Sequence, residues 1–409
     1  MANLNALATK VFGKTGSIIS TTFVIYFIAT SVGLLTNIVI ARFFGKEMFG
    51  VYSYFLSITN LIHIFASFGL ANTIAKLTEK QLSRKLLAKI LVYVIIASFV
   101  FSLVFYQIAS YLDLNPALNF FFWLIFGYSL MISVFTILSG AIRRTERYEV
   151  SMRFLTFNRV LVFLFILIAI LSKNFWLVLL SATVSMLLLV PFKLKLTRLS
   201  SQKANFKPLF KKSLPFFLAL IGMHSIYYID RISIKYVLNF SELGYYTGFS
   251  NYINILRVSA YVIPFVMITA SARKDFNIIG SVKKLISFIL PFALAIGLTA
   301  PYLVVFLFGS EFAKVDSFLI WSLVISSSLL VIYSLINSIY LGQVQETRRK
   351  VVILTFDAIL AIVVNLALNI FLISKIGLAG APIATITVLA IKILLNTYGL
   401  KTSIKAVQT

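Results

Sequence analysis

Residues Leu214–Pro264 read LPFFLALIGMHSIYYIDRISIKYVLNFSELGYYTGFSNYINILRVSAYVIP, two long apolar runs joined at a short polar turn around Ser241 and Glu242. Each run is long enough for a helix to cross the hydrocarbon core of a bilayer. Four charged or titratable side chains lie inside the runs: His224, Asp230, Arg231 and Arg257. Ionisable groups at membrane depth are costly, and by default they mark pathway or ligand residues. This stretch therefore predicts two membrane spans and the functional site.

The composition indicates the class of protein. Of the 409 residues, 60% are hydrophobic and 12% are charged, whereas a soluble domain has about 25% charged residues. Apolar runs of about 20 to 27 residues predict membrane-spanning helices, and the sequence lacks the alternating ten-residue segments of a membrane barrel. The predicted fold class is therefore an all-α polytopic membrane protein. The chain has no cysteine, which excludes disulfides and thiolate metal sites, and no metal or cofactor is indicated.

The chain is predicted to cross the membrane twelve times. The spans lie at about 16–41, 49–75, 87–111, 117–141, 154–172, 175–194, 213–237, 243–271, 284–308, 317–341, 351–373 and 377–400. Loops on one side carry 27 Lys and Arg residues, and loops on the other side carry six. Because cytoplasmic loops are enriched in Lys and Arg, both termini are expected in the cytoplasm and the protein in the cell membrane.

The net charge of +25 is explained by the same loops. The basic residues are spread over every alternate loop instead of forming one patch, which is not the pattern of a nucleic-acid-binding domain. We therefore expect no nucleic-acid partner. Contact with the anionic headgroups of membrane lipids is a natural secondary role for these loops.

A weak internal repeat indicates two similar halves. A shift of 194 positions lays Phe49–Tyr52 on Leu243–Tyr246, and a shift of 199 lays residues 155–158 on 354–357. Since six spans per half is an even number, both halves would insert with the same orientation. The predicted domains are an N-terminal six-helix bundle at 1–194, a basic cytoplasmic linker at 195–212 and a C-terminal six-helix bundle at 213–409.

The repeat also aligns polar positions of the two halves. Arg257 in span 8 aligns with His63 in span 2, each about fourteen residues into its helix, so both are expected near the membrane midplane. Polar faces that recur in both halves predict a shared aqueous cleft for an anionic group. The residues predicted to line this cleft are Arg257, Arg231, His63, His224, Asn254, Asn60, Asn37 and Tyr261.

Structural alternatives stay open for several of these side chains. Arg231 could extend to the membrane surface or pair with Asp230 or Glu242. His63 and His224 are as compatible with helix packing as with a ligand site. Arg257 is too deep to reach the surface easily, so its alternative is a contact between helices.

Two further positions concern a gate or ion coupling. Arg159 and Asp357 lie in equivalent spans near the cytoplasmic side, and we expect them to form an inner ion pair. Asp230 is the other candidate for a gate or for ion coupling. Lys392 is expected to extend its ammonium group to the cytoplasm.

Three motifs carry a family resemblance. Ala41–Tyr52 resembles the AR-x-x-G-x-x-x-x-G-x-Y turn that follows the first span of polysaccharide exporters. Asp230-Arg231 with Gly244–Tyr246 resembles the matching turn of their second half. Asn365–Thr385 is similar to the N-x-x-L-N-x-x-L-I-P-K-x-G-x-x-G-A-A-I-A-T hairpin near their end. The family is that of the Wzx-type lipid-linked oligosaccharide flippases, within the multidrug/oligosaccharidyl-lipid/polysaccharide (MOP) superfamily.

The resemblance implies two six-helix bundles, similar to those of MATE transporters, that open a central cavity alternately to either side. It implies a flippase that moves an isoprenyl-diphosphate-linked oligosaccharide from the cytoplasmic to the outer leaflet. Partners could include polysaccharide assembly proteins, and coupling to H+ or Na+ stays open. Ser374 and Pro382 replace the proline and alanine that are usual in the last motif, a departure that concerns helix geometry.

Two other functions compete with the flippase. A multidrug or cation antiporter of the same superfamily would favour buried carboxylates, and the first six predicted spans contain none. A membrane polysaccharide polymerase or glycosyltransferase would be an enzyme. The predicted outer loops are short and carry few acids, which leaves little room for paired-carboxylate glycosyl chemistry.

Overall fold

The computed structural model is helical and describes residues 14–77, 81–111, 118–145, 147–197, 199–200, 206–271, 278–343 and 348–408. The helices are α1 (Lys14–Ser67), α2 (Leu70–Ala75), α3 (Arg84–Tyr111), α4 (Leu118–Arg143), α5 (Tyr148–Leu171), α6 (Phe175–Leu196), α7 (Phe206–Val237), α8 (Phe240–Ser271), α9 (Ile278–Phe308), α10 (Ser317–Gln343), α11 (Arg348–Ile359), α12 (Asn365–Ile376) and α13 (Gly380–Gln408). A π-helical stretch, Leu360–Val364, joins α11 to α12, and 3-10 turns occupy Ser310–Phe312 and Gly377–Ala379.

The helices follow the predicted spans. Nine stretches of the described residues are long and apolar enough to cross a membrane. Helices suit this environment because a helix satisfies its own backbone hydrogen bonds in lipid. The first of them, Val24–Ser67, and the last, Val351–Tyr398, each contain two predicted spans. Helix α8 occupies the predicted eighth span. The all-α polytopic fold is confirmed.

The break between the first two spans lies at Gly45, within α1. Its φ of 81° and ψ of 170° interrupt the helix, a conformation that glycine adopts without steric cost. The Nε of Arg42 donates to the carbonyl of Leu307 at 2.7 Å, and the same guanidinium also donates to Phe306. The amide of Lys46 donates to the Glu311 carboxylate at 2.8 Å. The first motif is therefore a turn that docks on the end of α9.

Two close backbone contacts between α1 and α8 are formed by residues that the 194-residue repeat relates to each other. A Cβ at Gly50 would overlap the carbonyl oxygen of Phe240, and a Cβ at Gly244 would overlap the carbonyl oxygen of Lys46. The repeat lays Lys46 on Phe240 and Gly50 on Gly244. The contact is therefore reciprocal, and it explains the second glycine of the motif.

The second span ends earlier than the sequence predicts. Helix α1 stops at Ser67, and Phe68 and Gly69 take φ values of 46° and 66° before α2. A Cβ at Gly69 would lie 2.5 Å from the amide nitrogen of Phe217. The ring of Phe68 stacks on Phe217 at 4.3 Å between centroids. The close approach of α7 thus ends the helix.

Packing divides the chain into two compact units, Met1–Val51 with Gly222–Thr409 and Tyr52–Ile221. These limits differ from the predicted boundaries at 194 and 213. The first span packs with the C-terminal helices because the turn after it is bonded to α9. The first part of α7 packs with the N-terminal helices through aromatic contacts such as Phe68 with Phe210, whose centroids lie 4.2 Å apart.

Candidate functional site

Asp230, on α7, lies at the centre of a buried polar cluster in the first unit, and its side chain is only 1% exposed. Its Oδ1 accepts hydrogen bonds from the amides of Asn365 at 3.3 Å and Asn369 at 3.0 Å. Its Oδ2 accepts from the hydroxyl of Thr385 at 2.8 Å and from that of Tyr246 at 3.4 Å. Four neutral donors thus hold a carboxylate at membrane depth.

The amide oxygens of Asn365 and Asn369 belong to side chains that bind Asp230 through their nitrogens. Both oxygens are buried and have no hydrogen-bond partner. Buried acceptors without donors are costly. The cluster therefore gathers more oxygen acceptors than the surrounding donors satisfy, which is an arrangement suited to a bound cation.

Sequence reasoning did not assign a role to Asn365, Asn369 and Thr385. They were singled out only as letters of the terminal hairpin motif. The spacing of the two asparagines offered a signal, since residues four apart lie on one face of a helix. The hairpin turn at Gly377–Ala379 then returns α13 along α12 and places Thr385 on the same carboxylate. The motif is thus explained by its contacts with Asp230.

Arg257, on α8, is buried in the first unit with 4% exposure. Its Nε donates to the hydroxyl of Ser327 on α10 at 2.8 Å, and its guanidinium lies 3.8 Å from the ring centroid of Tyr227 on α7. The expected aqueous surroundings are thus replaced in this conformation by a hydroxyl and an aromatic face. Neutral groups hold the guanidinium, so these contacts leave its positive charge in place.

The neighbouring candidates form a polar strip on α7 and α8. Arg231 donates to Ser250 at 3.4 Å and to Asn251 at 3.3 Å, and Asn254 donates to Asn251 at 3.4 Å. His224 is half-buried on α7, and Asn37 is half-buried on α1 in the same unit. The side chain of Tyr261 lies outside the described residues. The structure thus joins Arg231 and Asn254 through Asn251.

The second unit holds His63 and Asn60. The Nδ1 of His63 lies 3.0 Å from the hydroxyl of Ser133 on α4, whereas the amide of Asn60 donates to the carbonyl of Leu56 on its own helix at 2.6 Å. The His63–Ser133 contact repeats the Arg257–Ser327 contact with both partners shifted by 194. The alignment of Arg257 with His63 therefore extends to their partners.

Asp357, on α11, pairs with a residue that the sequence interpretation placed elsewhere. Its Oδ2 lies 3.3 Å from the ammonium of Lys392 on α13 and accepts from the hydroxyl of Tyr333 on α10 at 2.7 Å. Both partners of the ion pair are fully buried. The sequence predicted that Lys392 extends to the cytoplasm. Its ammonium is instead bound inside the protein by Asp357 and by the carbonyl of Gly222.

Arg159, the predicted partner of Asp357, is exposed on α5. Within its own unit, Asp357 forms its ion pair with Lys392. The sequence could not distinguish these two cations, because their burial depends on which faces of the apolar helices meet. Both lie in spans, and either could have extended its charge to the membrane surface.

Lys193, on α6, is a buried cation that sequence reasoning missed. Its side chain is fully buried, and its ammonium donates to the carbonyl of Phe135 at 3.1 Å and to the hydroxyl of Ser139. It lies 3.1 Å from the ring centroid of Phe135. The signal was the second repeat, because a shift of 199 lays Lys193 on Lys392.

Comparison with known proteins identifies the family. A model of the family described as polysaccharide biosynthesis protein matches residues 16–270, more than half of the chain. The chain belongs to this polysaccharide biosynthesis family. No match is found among curated proteins.

Solved structures show how this member of the polysaccharide biosynthesis family folds. The lipid II flippase MurJ in an inward closed conformation is 16% identical, with a TM-score of 0.73 over 93% of this chain and 87% of that chain. An inward-facing multidrug resistance MATE transporter of the MOP superfamily is 14% identical, with a TM-score of 0.67 over 95% of this chain and 99% of that chain. The Vibrio cholerae MATE transporter VcmN in its bent form is 14% identical, with a TM-score of 0.53 over 95% and 98% of the two chains. The predicted MOP-type fold is confirmed.

Proposed function

We propose that this protein is a flippase that moves an isoprenyl-diphosphate-linked oligosaccharide from the cytoplasmic to the outer leaflet by alternating access, for the assembly of surface polysaccharide. Membership of the polysaccharide biosynthesis family supports a cargo of this kind. The fold shared with a lipid II flippase is compatible with a lipid-linked cargo. A flippase forms no covalent bond in its cargo, so no catalytic residue and no cofactor is required.

Arg257 is the residue whose placement supports the proposal most. It is a buried arginine whose hydrogen bond and ring contact are to neutral groups, and the Asp230 carboxylate is close enough to interact with its charge. A guanidinium binds two phosphate oxygens at once through its planar donor fork. Arg231, bonded to Ser250 and Asn251, supplies a second positive charge on the adjacent α7. A diphosphate carries the complementary charge.

Binding of the lipid carrier tests this role directly. Purified protein should bind a short isoprenyl diphosphate, and Arg257→Gln should weaken the affinity about tenfold or more, the effect of losing a charge-assisted hydrogen bond. Arg257→Lys should recover part of the affinity, because the charge remains while the fork is lost. Microscale thermophoresis with a fluorescent isoprenyl diphosphate measures both.

The matched control is Arg84→Gln, which removes an exposed arginine at the start of α3 and should leave the affinity unchanged. Equal weakening by Arg84→Gln and Arg257→Gln would reduce the effect to net charge. Unchanged binding by a folded Arg257→Gln variant would remove Arg257 from the diphosphate site. A multidrug or cation antiporter, the runner-up, predicts no preference for the isoprenyl diphosphate over the corresponding alcohol.

Ion coupling is assigned to Asp230 within the same proposal. The carboxylate, the Thr385 hydroxyl and the unsatisfied amide oxygens of Asn365 and Asn369 form an oxygen-lined cluster that fits a small monovalent cation such as Na+. Oxygen ligands suit hard cations. A bound cation would satisfy the two amide oxygens and neutralise the buried carboxylate. This supports coupling of transport to Na+.

Thermal unfolding tests the cation site without transport. A ligand that binds only the folded protein raises its unfolding temperature, so NaCl should raise it more than choline chloride does. Asp230→Asn should abolish this difference. Asp316→Asn is the control, because Asp316 is exposed and caps α10 through bonds to the amides of Phe318 and Leu319. A sodium response that survives Asp230→Asn would contradict the assignment.

The proposed direction requires both termini to lie in the cytoplasm. The absence of native cysteines allows single cysteines to be labelled without background. Gln81→Cys, before α3, should react with a membrane-impermeant maleimide only after cell lysis, whereas Ser310→Cys, after α9, should react in intact cells. Both native residues are exposed. The opposite labelling pattern would reverse the proposed orientation. In the proposed orientation, assembly proteins of the polysaccharide pathway would meet the cargo at the outer face.

A further inference from the structure

In the ion pair of Asp357 with Lys392, one carboxylate oxygen of Asp357 has polar partners and the other has none. Oδ2 accepts the Tyr333 hydroxyl and faces the Lys392 ammonium. Oδ1 is buried and has no hydrogen-bond partner. A bare carboxylate oxygen in an apolar interior is costly, and a proton placed on it removes the charge without breaking an existing bond. Oδ1 is therefore the oxygen on which the carboxylate can take up a proton.

The groups around the pair come from four helices. Helix α7 contributes the carbonyl of Gly222, which accepts from Lys392, and α10 contributes the phenol of Tyr333. Helix α13 contributes Lys392 and, one turn later, the buried amide of Asn396, which lies near the Tyr333 hydroxyl. Among the residues whose side chains the structure describes, the charged groups in contact here are the Asp357 carboxylate and the Lys392 ammonium. Tyr333 is the neighbouring titratable group.

The other half of the chain contains a counterpart without the acid. The 199-residue repeat lays Asn158 on Asp357 and Lys193 on Lys392, and the 194-residue repeat lays Ser139 on Tyr333. Lys193 stays fully buried, bonded to the Phe135 carbonyl and to Ser139. Asparagine has the shape of a protonated aspartate. The N-terminal half thus shows that the fold retains a buried lysine when the acid is replaced by a neutral group.

We propose that Asp357 is a proton-binding site of the transporter, separate from the cation site at Asp230, with Lys392 as the fixed charge that remains when the carboxylate is protonated. The step is the addition of one proton to Asp357 Oδ1, and the pair changes from net neutral to a single positive charge. The Lys392 ammonium keeps its bond to the Gly222 carbonyl and its place 4.5 Å from the ring centroid of Tyr333. Its role in transport rests on the proposed flippase function.

Proton binding at this pair would be transmitted along two helices to the Asp230 cluster. Gly222 presses against the pair so closely that a Cβ there would overlap Asp357 Oδ2, and Asp230 lies further along the same α7. Asp357 and Asn365 lie on either side of the π-helical stretch Leu360–Val364. Such stretches occur often at functional sites. The proton site and the cation site therefore share helices without sharing a side chain.

Infrared difference spectroscopy of the full-length protein in nanodiscs tests proton binding directly. When the buffer is changed from about pH 9 to about pH 5, a band of a buried protonated carboxylic acid should appear and shift in deuterated buffer. In an Asp230→Asn background, which lacks the other buried carboxylate of the two clusters, Asp357→Asn should remove this band. Asp230→Asn should retain it, because Asp230 belongs to the other cluster. The measurement needs no cargo, so it is independent of whether the protein proves to be a flippase.

Two further variants separate proton binding from a purely structural role. Lys392→Arg retains the cation and should retain the band, with its midpoint at lower pH because an arginine stays charged and binds a carboxylate through two donors. Asp357→Asn with Lys392→Met removes both charges, should fold even if the single variant does not, and should lack the band. In the Asp230→Asn background, a band that persists in either folded Asp357→Asn variant, or no band while Asp357 is present, overturns the proposal.

The transport readout then tests the link to function. Export of lipid-linked oligosaccharide by the wild type should change with pH, and a folded Asp357→Asn variant should lose that pH dependence, while the exposed-site control Asp316→Asn retains it. A pH dependence that survives Asp357→Asn overturns the link between proton binding and transport. Absence of export at every pH in the wild type would refute the flippase function, and the infrared band would still decide whether Asp357 binds a proton.

Discussion

The two halves of the chain use equivalent positions for different chemistry. Where the C-terminal half has Asp357, Lys392 and Tyr333 in contact, the N-terminal half has Asn158, Lys193 and Ser139. Both lysines are fully buried, yet only the C-terminal one faces an acid at the repeat position. The scaffold therefore tolerates a buried lysine at this place, and the carboxylate is an addition specific to one half.

The Asp230 cluster shows the same asymmetry. Its positions in the C-terminal half are aspartate, two asparagines and threonine, and these bond to one another. The repeat positions in the N-terminal half are Thr36, Ile166, Ile170 and Met186. Three of these four side chains are apolar and have no oxygen, so the repeat restricts this polar cluster to the C-terminal half. Duplicated helices thus provide the frame, and a few substitutions give one half a buried polar cluster.

The largest expected effect separates the two lysines. Lys392→Met leaves the buried Asp357 carboxylate without its counter-ion and should lower the free energy of unfolding by about 3–5 kcal/mol at neutral pH. In the N-terminal half, the neutral Asn158 occupies the repeat position of Asp357. Lys193→Met therefore leaves no carboxylate unpaired there, and it should lower the free energy of unfolding much less. Unfolding in detergent micelles measures both variants. Equal losses would show that Asp357 contributes nothing that distinguishes the halves.

A smaller effect is expected at Gly222, which packs against the ion pair. Gly222→Ala should lower the free energy of unfolding by about 1–3 kcal/mol, because a methyl group there would overlap Asp357. Ile28 occupies the repeat position in the N-terminal half and is 47% exposed. Ile28→Ala should therefore change stability by less than about 0.5 kcal/mol. A neutral Gly222→Ala variant in the same unfolding assay would place α7 further from the pair than described.

The smallest expected effect comes from giving the N-terminal half its missing acid. In an Asn158→Asp background, Lys193→Met should cost about 1 kcal/mol more than it does in the wild type, because the new carboxylate and the lysine would interact. The double-mutant cycle in the same unfolding assay measures this coupling. Strictly additive losses would mean that Asn158 and Lys193 are not equivalent in space to Asp357 and Lys392.

The order of the helices could be predicted from the sequence, whereas their partners could not. Hydrophobic runs of membrane-spanning length gave the spans, and the motif at Ala41–Tyr52 gave the turn at Gly45. Lipid tails are as apolar as a helix-packing surface, so the pattern along a span does not tell which face meets another helix. The grouping of residues 1–51 with the C-terminal helices depends on such faces.

The sequence identified several residues of the candidate site but few of the contacts between them. Arg257, Asp230 and Asp357 were recognised because charges at membrane depth are exceptional. The pairing of Asp357 with Lys392 was not predicted, because the burial of Lys392 depends on how α13 is rotated. The neutral ligands Asn365 and Thr385 carry no charge, so composition did not mark them. They gained meaning only through their bonds to Asp230.

The central claim is tested most directly by translocation in vesicles. Proteoliposomes carrying a fluorescent isoprenyl-diphosphate-linked oligosaccharide are treated with a membrane-impermeant quencher, and the label that becomes accessible is followed over time. Wild-type protein should transfer the label between leaflets much faster than protein-free vesicles. Arg257→Gln should abolish that gain, and His63→Gln, at the repeat position, should reduce it less, because a histidine supplies less fixed positive charge than an arginine. Transfer by the wild type at the rate of protein-free vesicles would contradict the flippase account.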